Sequence, residues 1–268
     1  MVSNFIARGA ERYDAYMGRW SQRLAPLFIE FAGGGQRDKV LDVGCGTGSL
    51  TFILAQDRSI TSIDSIDYEE QFVEALRTRS SDARITAQQG DACALPFADA
   101  TFDRALSMLV LHFVSDPLRA VAEMRRVLRP GGLAAATVWD TFGGMPSQKL
   151  FWDTIAALEP SARDRRSKST WRPMTQAGEL GAAFSAGGFV DVIETMLTIR
   201  MDFANFDDYW EPLITGQGTL EDYVRSLPQS AQIRIEDAVR EAYLCGRPNG
   251  PRSFASVAWA VKGVASGG

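Results

Sequence analysis

A short apolar run followed by three glycines at alternate positions constrains the fold of this chain more than any other feature. Residues 40–43 have the sequence Val-Leu-Asp-Val and predict a buried parallel strand. Gly44, Gly46 and Gly48 predict a sharp turn into a helix over 49–55, because glycine adopts backbone conformations that other residues avoid. A helix N-terminus after such a turn offers free N–H groups and a positive dipole end. The segment therefore predicts a nucleotide site at one edge of an α/β sheet.

The spacing of the glycines indicates which kind of nucleotide is bound. A dinucleotide site has the pattern G-x-G-x-x-G after its first strand, whereas here the third glycine comes one residue early and position 49 is Ser. Asp42 also precedes the turn, and a carboxylate there repels a pyrophosphate but suits an ammonium or sulfonium group. An NAD(P)-dependent oxidoreductase, for which Gly at 49 and an apolar residue at 42 are expected, remains an alternative.

Two acids compete for a role at the end of the next predicted strand, over 59–68. An acid at this place accepts hydrogen bonds from both ribose hydroxyls of a bound nucleoside. Asp67 is favoured over Asp64, because the following helix begins just after Tyr68 and Asp67 then lies at the carboxyl end of the strand. We expect Tyr68 to lie beside the adenosine, and Asp64 to be a turn or surface residue.

Polar residues also follow the third and fourth predicted strands, over 84–88 and 102–109. Asp91 is predicted to accept a hydrogen bond from an adenine amine, while the N–H of Ala92 donates to a ring nitrogen. Ser107 lies near the end of the fourth strand. The four strand-end positions are about one βα unit apart, so right-handed crossovers place them along one edge of the sheet. They are Asp42, Asp67, Asp91 and Ser107.

A further landmark is the sequence Leu128-Arg129-Pro130-Gly131-Gly132 between a helix and a fifth predicted strand over 133–139. With the glycine turn, the strand-end acids and Leu95-Pro96-Phe97, it makes residues 36–140 resemble the class I S-adenosylmethionine-dependent methyltransferases. The closest overall similarity is to the group that includes the ubiquinone/menaquinone C-methyltransferases. The resemblance implies S-adenosyl-L-methionine as cofactor. It also implies a Rossmann-like, doubly wound, mostly parallel seven-stranded α/β sheet with an antiparallel last strand, helices on both faces and helical cap insertions.

The chain is predicted to form one domain over 1–268. A helix over 11–32 belongs to an N-terminal helical cover, and strands over 189–203 and 253–264 form the final antiparallel pair. The helical residues after the first of these strands are interpreted as a cap over the active site, with a packing layer on the sheet as the alternative. The basic residues over 163–172 are predicted to form a solvated loop, with a lid for an anionic substrate as the alternative. The predicted parts are 1–35 (cover), 36–140 (cofactor-binding core), and 141–174 and 204–250 (cap insertions).

Several residues are predicted to contact cofactor or acceptor. In the resembled family a helix before the first strand often closes over the cofactor, so Arg19 is a candidate to hold the methionine carboxylate. His112 follows the fourth strand and is interpreted either as a base or as a packed core histidine. The cofactor-binding candidates are Tyr16, Arg19, Asp42, Gly44, Cys45, Gly46, Asp67, Tyr68, Asp91, Ala92, Ser107 and Met108. The substrate-pocket candidates are Trp20, His112, Trp139 and Phe142.

Composition excludes several classes of function. The formal net charge of −5 supplies no basic field for nucleic acid, and the chain lacks the Asn/Asp-Pro-Pro-Tyr/Phe motif of nucleobase amino-methyltransferases after its fourth strand. Three cysteines without a short spacing and one histidine predict neither a disulfide framework nor a metal site. Neither a signal peptide at Met1–Phe5 nor a membrane-spanning run is predicted, so we expect a cytoplasmic protein.

These observations predict methyl transfer to a small, partly apolar acceptor. A sulfonium is already a good leaving group, so in-line alignment and exclusion of water are expected to suffice, and no catalytic side chain is assigned. Neither a nucleic acid nor a membrane is an expected partner. A non-catalytic S-adenosylmethionine-binding protein is the second alternative.

Overall fold

The computed structural model describes residues 9–215 and 219–266. Its centre is a seven-stranded sheet with the strand order β3-β2-β1-β4-β5-β7-β6. The first five strands pair in parallel, and β7 runs antiparallel to both β5 and β6, as the sequence predicts. The strands are β1 Lys39–Val43, β2 Ser62–Asp67, β3 Ile85–Gln89, β4 Phe102–Met108, β5 Leu128–Trp139, β6 Phe189–Phe203 and β7 Arg252–Ala265.

Helices cover both faces of the sheet. Alternate residues of a strand face opposite layers, so Val40 packs in one core cluster and Leu41 in the other. None of the helices in the described residues is long and apolar enough to cross a bilayer. The helices are α1 Ala10–Tyr13, α2 Arg19–Ala32, α3 Ser49–Leu54, α4 Glu70–Arg79, α5 Pro117–Val127, α6 Pro146–Leu158, α7 Arg163–Thr170, α8 Glu179–Ala186, α9 Phe206–Thr215, α10 Thr219–Ser226 and α11 Gln229–Leu244.

The sheet topology sets the place of a ligand. β1 is flanked by β2 on one side and by β4 on the other, so the order of strands reverses between β1 and β4. Open α/β sheets bind ligands beyond the carboxyl ends of the strands at such a reversal. The glycine turn directly follows β1 and therefore lies at this point.

The start of one predicted strand and one predicted loop differ from the structure. β5 begins at Leu128 and not at 133, because Leu128 pairs with Phe102 before the register shifts around the positive φ of 78° at Gly131. The stretch 163–172 was predicted to be a loop, but its basic residues other than Arg172 lie in the helix α7, Arg163–Thr170. The predicted absence of a signal peptide at Met1–Phe5 lies outside the described residues.

The described residues of the second predicted cap insertion, over 204–250, pack mainly against α6 and, through α9, against the long strand β6. Phe206, Tyr209 and Tyr243 are buried, and Tyr209 meets Phe203 of β6 edge to face at 5.2 Å between ring centroids. Such aromatic pairs contribute packing energy and orient the elements that carry them. The hydroxyl of Tyr209 also donates to the Ser147 carbonyl at the start of α6, at 2.8 Å.

Candidate functional site

A cleft with about 840 Å³ of empty space, part of it open to solvent, lies beyond the carboxyl ends of β1, β2 and β4. Most predicted cofactor residues from the strand ends meet there. Gly44, Gly46, Asp67, Tyr68, Asp91, Ala92 and Met108 all line it. Residues that the sequence analysis did not select line it as well: Tyr13, Val43, Ile66, Glu69, Phe72, Gly90, Leu109, Val110, Phe113, Val114 and Ser115.

The glycine turn uses its own N–H groups to hold its shape. The N–H groups of Gly44 and Cys45 donate to the Ile66 carbonyl at 2.7 and 2.9 Å, and that of Gly46 donates to Asp67 at 2.8 Å. These three N–H groups are therefore not available to a phosphate.

Asp67 connects this turn to the cleft. Its Oδ2 accepts the N–H of Gly46 at 2.8 Å, and its Oδ1 accepts that of Glu69 at 3.0 Å. Each carboxylate oxygen has two lone pairs, so both can still accept a ribose hydroxyl. The competing acid, Asp64, is not in the cleft wall, and its Oδ2 lies 3.9 Å from the Lys39 Nζ.

Asp42 and Ser107 lie behind the cleft wall, although both were predicted to bind cofactor. Asp42 is buried, and its Oδ2 accepts the Thr51 hydroxyl at 2.7 Å. The Ser107 hydroxyl donates to the Val43 carbonyl at 3.0 Å and so joins β4 to β1. Side chains alternate between the two faces of a strand, and here both point into the core layers. Cys45 is also buried, and it contributes to the turn through its backbone: its N–H donates to Ile66, and its carbonyl accepts the Gly48 N–H at 2.9 Å.

The N-terminal helix reaches the cleft through Tyr13, a residue missed by the sequence analysis. A π-helical segment over Asp14–Gly18 separates α1 from α2. Asp14 accepts the Thr47 hydroxyl of the glycine turn at 2.5 Å and Arg79 of α4 at 2.7 Å. These bonds hold α1 over the cleft, where the Tyr13 ring meets Phe72 at 5.1 Å.

The same segment turns the predicted residues away from the cleft. A π turn inserts an extra residue, which rotates the following side chains around the helix axis. Tyr16, Arg19 and Trp20 consequently line a second, smaller cavity of about 310 Å³ against α6 and α9, which we term the cap cavity. Arg19 is paired there with Asp208 at 2.7 Å. Its predicted role as a clamp for the methionine carboxylate stays a prediction, which this pairing outside the cleft does not support.

None of the remaining substrate-pocket candidates is in the cleft wall. His112 is buried and packs against Phe113, with the two ring centroids 4.0 Å apart and the rings tilted. Its Nδ1 has no hydrogen-bond partner among the described residues. Burial and then the charge of Arg172 lower the pKa of His112 well below its ordinary value, so the imidazole is neutral. Trp139 is a core residue at the end of β5, whereas Phe142 is exposed and packs on Trp171 at 4.8 Å.

Which of the two tyrosines, Tyr13 or Tyr16, contacts the bound cofactor can be tested directly. We expect Tyr13→Ala to weaken S-adenosylhomocysteine binding about fivefold to tenfold, because the cleft loses an aromatic wall. Tyr16→Ala removes the same ring from the next turn and should change affinity less than about twofold, since Tyr16 lines the cap cavity. Isothermal titration calorimetry of both variants measures this. A larger loss in Tyr16→Ala would restore the sequence-based choice.

The pKa of Asp67 predicts how binding depends on pH. Burial raises this pKa to about 6, against the opposing hydrogen bonds from the Glu69 and Gly46 N–H groups. The ionised carboxylate is the acceptor for ribose hydroxyls, so affinity for S-adenosylhomocysteine should fall about tenfold from about pH 7 to about pH 5. Calorimetry across this range should give a flat profile for Asp67→Asn. A slope that persists there would instead assign the titration to Asp42, whose pKa burial raises to about 7.

The charge of the cleft indicates what it can hold. Its described lining includes three carboxylates, Asp67, Glu69 and Asp91, and neither a Lys nor an Arg. Such a wall attracts a cationic ligand and repels a pyrophosphate. The arrangement fits a sulfonium nucleoside, with Asp67 for its ribose and Asp91 for its base. No group of three or more His, Cys, Asp or Glu residues suited to a metal ion is present in the described part of the chain.

Comparisons with known proteins agree with this geometry. Residues 41–136 match the family described as "Methyltransferase domain". The chain is 34% identical over 196 residues to a malonyl-[acyl-carrier protein] O-methyltransferase of Geobacter sulfurreducens, covering 71% of this chain and 70% of that protein. It is 31% identical to a demethylmenaquinone methyltransferase of Renibacterium salmoninarum, covering 60% of this chain and 68% of the relative. A match to a bifunctional biotin-biosynthesis protein of Teredinibacter turnerae spans 25% of that longer protein.

Solved structures show the same fold. The YcgJ protein of Bacillus subtilis superposes with a TM-score of 0.59 at 21% identity, covering 93% of this chain and all of that one. The predicted fold class is thereby confirmed, and the relatives confirm the resemblance found in the sequence. The glycine turn, the acids beyond β2 and β3, and the relatives together place the chain in the family of class I S-adenosylmethionine-dependent methyltransferases, whose cofactor is S-adenosyl-L-methionine.

Proposed function

We propose that this protein transfers the methyl group of S-adenosyl-L-methionine to a small, partly apolar acceptor by in-line displacement. The observation that carries the proposal is the cleft wall at the strand reversal, with three carboxylates and neither a Lys nor an Arg among its described residues. That wall suits a sulfonium nucleoside and disfavours the pyrophosphate of NAD(P). Neither a nucleic acid nor a membrane is part of the proposal.

Each part of the cleft has a proposed role in binding. Asp67 accepts hydrogen bonds from the ribose hydroxyls and keeps the glycine turn in place through the Gly46 N–H. Asp91 and the Ala92 N–H recognise the edge of the adenine, and the Tyr13 ring covers the bound nucleoside. Because α1 is clasped to the turn through Asp14 and Thr47, it can exclude water from the cleft.

The bound cofactor supplies a methyl group on a positively charged sulfur that leaves as a neutral thioether. The bond from sulfur to the methyl carbon breaks as a bond from the acceptor atom to that carbon forms. The acceptor gives up one proton, and S-adenosylhomocysteine is the second product. The contribution of the protein to this step is alignment of the acceptor and desolvation, which together can supply a large part of the rate enhancement.

The acceptor is proposed to enter beside Phe113, which lines the cleft next to His112. The Phe113 ring suits a partly apolar molecule. The Geobacter relative is named for a malonyl acyl-carrier-protein acceptor and the Renibacterium relative for demethylmenaquinone, which are different kinds of molecule. The acceptor is therefore to be found by experiment. We propose a cytoplasmic location, which suits three cysteines that are all free of disulfides.

The test of the proposal has two stages. Calorimetry should show binding of S-adenosylhomocysteine and no binding of NADH, and the reverse result would favour an oxidoreductase. The protein is then incubated with a fractionated metabolite extract and S-adenosylmethionine that carries a deuterated methyl group. Mass spectrometry should detect both S-adenosylhomocysteine and a product with the labelled methyl. Cofactor binding without any labelled product from extracts would favour a non-catalytic binding protein.

A further inference from the structure

One arginine of the basic stretch approaches the acceptor side of the cleft. Arg172 follows α7, and its guanidinium carbon lies 4.7 Å from the centroid of the Phe113 ring, which lines the cleft. Its charge also reaches two buried side chains: at His112 it adds to burial in lowering the pKa, and at Tyr16 it opposes the burial that raises the pKa to about 12. None of Arg172, His112 and Tyr16 is itself in the cleft wall. The guanidinium therefore lies just beyond the cleft, between the Phe113 ring and the N-terminal helix.

The backbone of Arg172 is held in place by buried hydrogen bonds. Thr175 is fully buried, and its hydroxyl donates to the Arg172 carbonyl at 2.8 Å. The Thr141 hydroxyl lies 2.9 Å from that of Thr175 and donates to the Thr170 carbonyl at 2.8 Å. These bonds tie the segment after α7 to the loop after β5. The backbone from which the Arg172 side chain extends is thus fixed by the fold.

Arg172 differs from its neighbours in the stretch because it is both half-buried and without an anionic partner, whereas Arg163, Arg165 and Lys168 are exposed. Arg166 is paired with Asp153 at 2.5 Å, and Arg165 is exposed and stacks on Tyr223 at 5.2 Å. The half-buried Arg172 guanidinium makes neither an ion pair nor a hydrogen bond with any described residue. Burial lowers its pKa, which means that its surroundings do not compensate the charge. A partly desolvated cation without a partner gains most from an anionic ligand.

We propose that Arg172 binds an anionic oxygen group, such as a carboxylate, on the methyl acceptor. The inference rests on the proposed function, since it concerns the acceptor of that reaction. The Phe113 ring supports one face of the guanidinium and leaves its edge N–H groups to donate to a carboxylate in paired geometry. The acceptor is thus an acid with an apolar body, oriented by its charge beside the cleft.

The experiment uses benzoate and benzamide, which have the same ring and differ in charge. The protein is saturated with S-adenosylhomocysteine, and each probe is titrated by calorimetry. We expect the unmodified chain to bind benzoate about tenfold more tightly than benzamide, the gain typical of a charge-assisted hydrogen bond. Arg172→Met should abolish this preference, and Arg172→Lys should retain part of it. The matched control, Arg165→Met, removes an arginine with a similar ring contact from the same stretch and should keep the full preference.

Three outcomes would overturn the proposal. One is equal binding of benzoate and benzamide by the unmodified chain, a result that does not depend on whether any variant folds. Another is a preference that survives in a folded Arg172→Met variant, as judged by its melting temperature. The third is a loss of S-adenosylhomocysteine affinity in Arg172→Met, which would assign the guanidinium to the methionine carboxylate of the cofactor. If the unmodified chain binds no S-adenosylhomocysteine, the proposed function itself has failed, and that result is distinct from the first three.

Discussion

Replacing Gly44 by alanine is expected to reduce affinity for S-adenosylhomocysteine more than about 100-fold, the loss of some 3 kcal/mol of binding free energy. The φ angle of Gly44 is +79°, which costs an alanine about 1–2 kcal/mol. An added Cβ would also lie 2.3 and 2.6 Å from the two terminal carbons of Val110. Val110 lines the cleft, so relief of this contact must push either Val110 or the turn into the ligand space.

Gly131 supplies the matched control for this substitution. Its φ is +78°, nearly the same as that of Gly44, but nothing lies within 4 Å of an added Cβ. Gly131→Ala should therefore lower stability by about 1–2 kcal/mol through backbone strain alone and leave affinity unchanged. Chemical denaturation and calorimetry on both variants separate strain from steric overlap. Equal affinity in both variants would contradict the proposed position of the ligand against the glycine turn.

Asp67→Ala is expected to weaken S-adenosylhomocysteine binding about 100-fold. The carboxylate is proposed to accept two ribose hydroxyls, and charge-assisted hydrogen bonds contribute about 1.5–3 kcal/mol each. The substitution also frees the Gly46 and Glu69 N–H groups, so the glycine turn loses the bond that joins it to β2. Calorimetry should show the loss of affinity, and the melting temperature of the free protein should fall as well.

Asp64→Ala is the control, because it removes the other acid of the same strand. Asp64 is not in the cleft, and its contact with Lys39 is a weak ion pair at 3.9 Å. Affinity should stay within about twofold of the unmodified chain, as expected for a partly exposed pair. A larger effect in Asp64→Ala than in Asp67→Ala would show that the ribose acid had been assigned to the wrong residue.

The predicted residues that do line the cleft were located from features that are local in the sequence. The glycine turn, the acid after β2 and the Gly90-Asp91 pair all depend on the order of strands and on where each strand ends. Apolar runs, glycines and short polar turns encode both features locally. The long final strands were predicted for the same reason, and the bounds of β6 at Phe189–Phe203 match those predicted.

The predicted cofactor residues that lie outside the cleft wall have a different explanation. Asp42 and Ser107 stand at the predicted strand ends, but the face on which each side chain lies depends on packing against neighbouring layers. Tyr16 and Arg19 were chosen on a regular helix, whereas the π segment over Asp14–Gly18 moves Tyr13 to the cleft. The apolar residues over 11–32 follow one helical period, and this pattern contains no sign of the π segment. The hydrogen bond that Thr47 donates to Asp14 ties this segment to the glycine turn.

The sequence by itself determined the sheet, the place of the site and the class of its cofactor, because these follow from local backbone preferences and from the order of strands. Only the tertiary structure decided which side chains form the cleft wall and which charges stay unpaired. Arg172 is the clearest example: it ends a run of basic residues that are alike in sequence. A contact with Phe113, which is far away along the chain, leaves it as the partly buried cation of that run without a partner among the described residues. Such long-range contacts depend on the whole packed chain, and no local pattern encodes them.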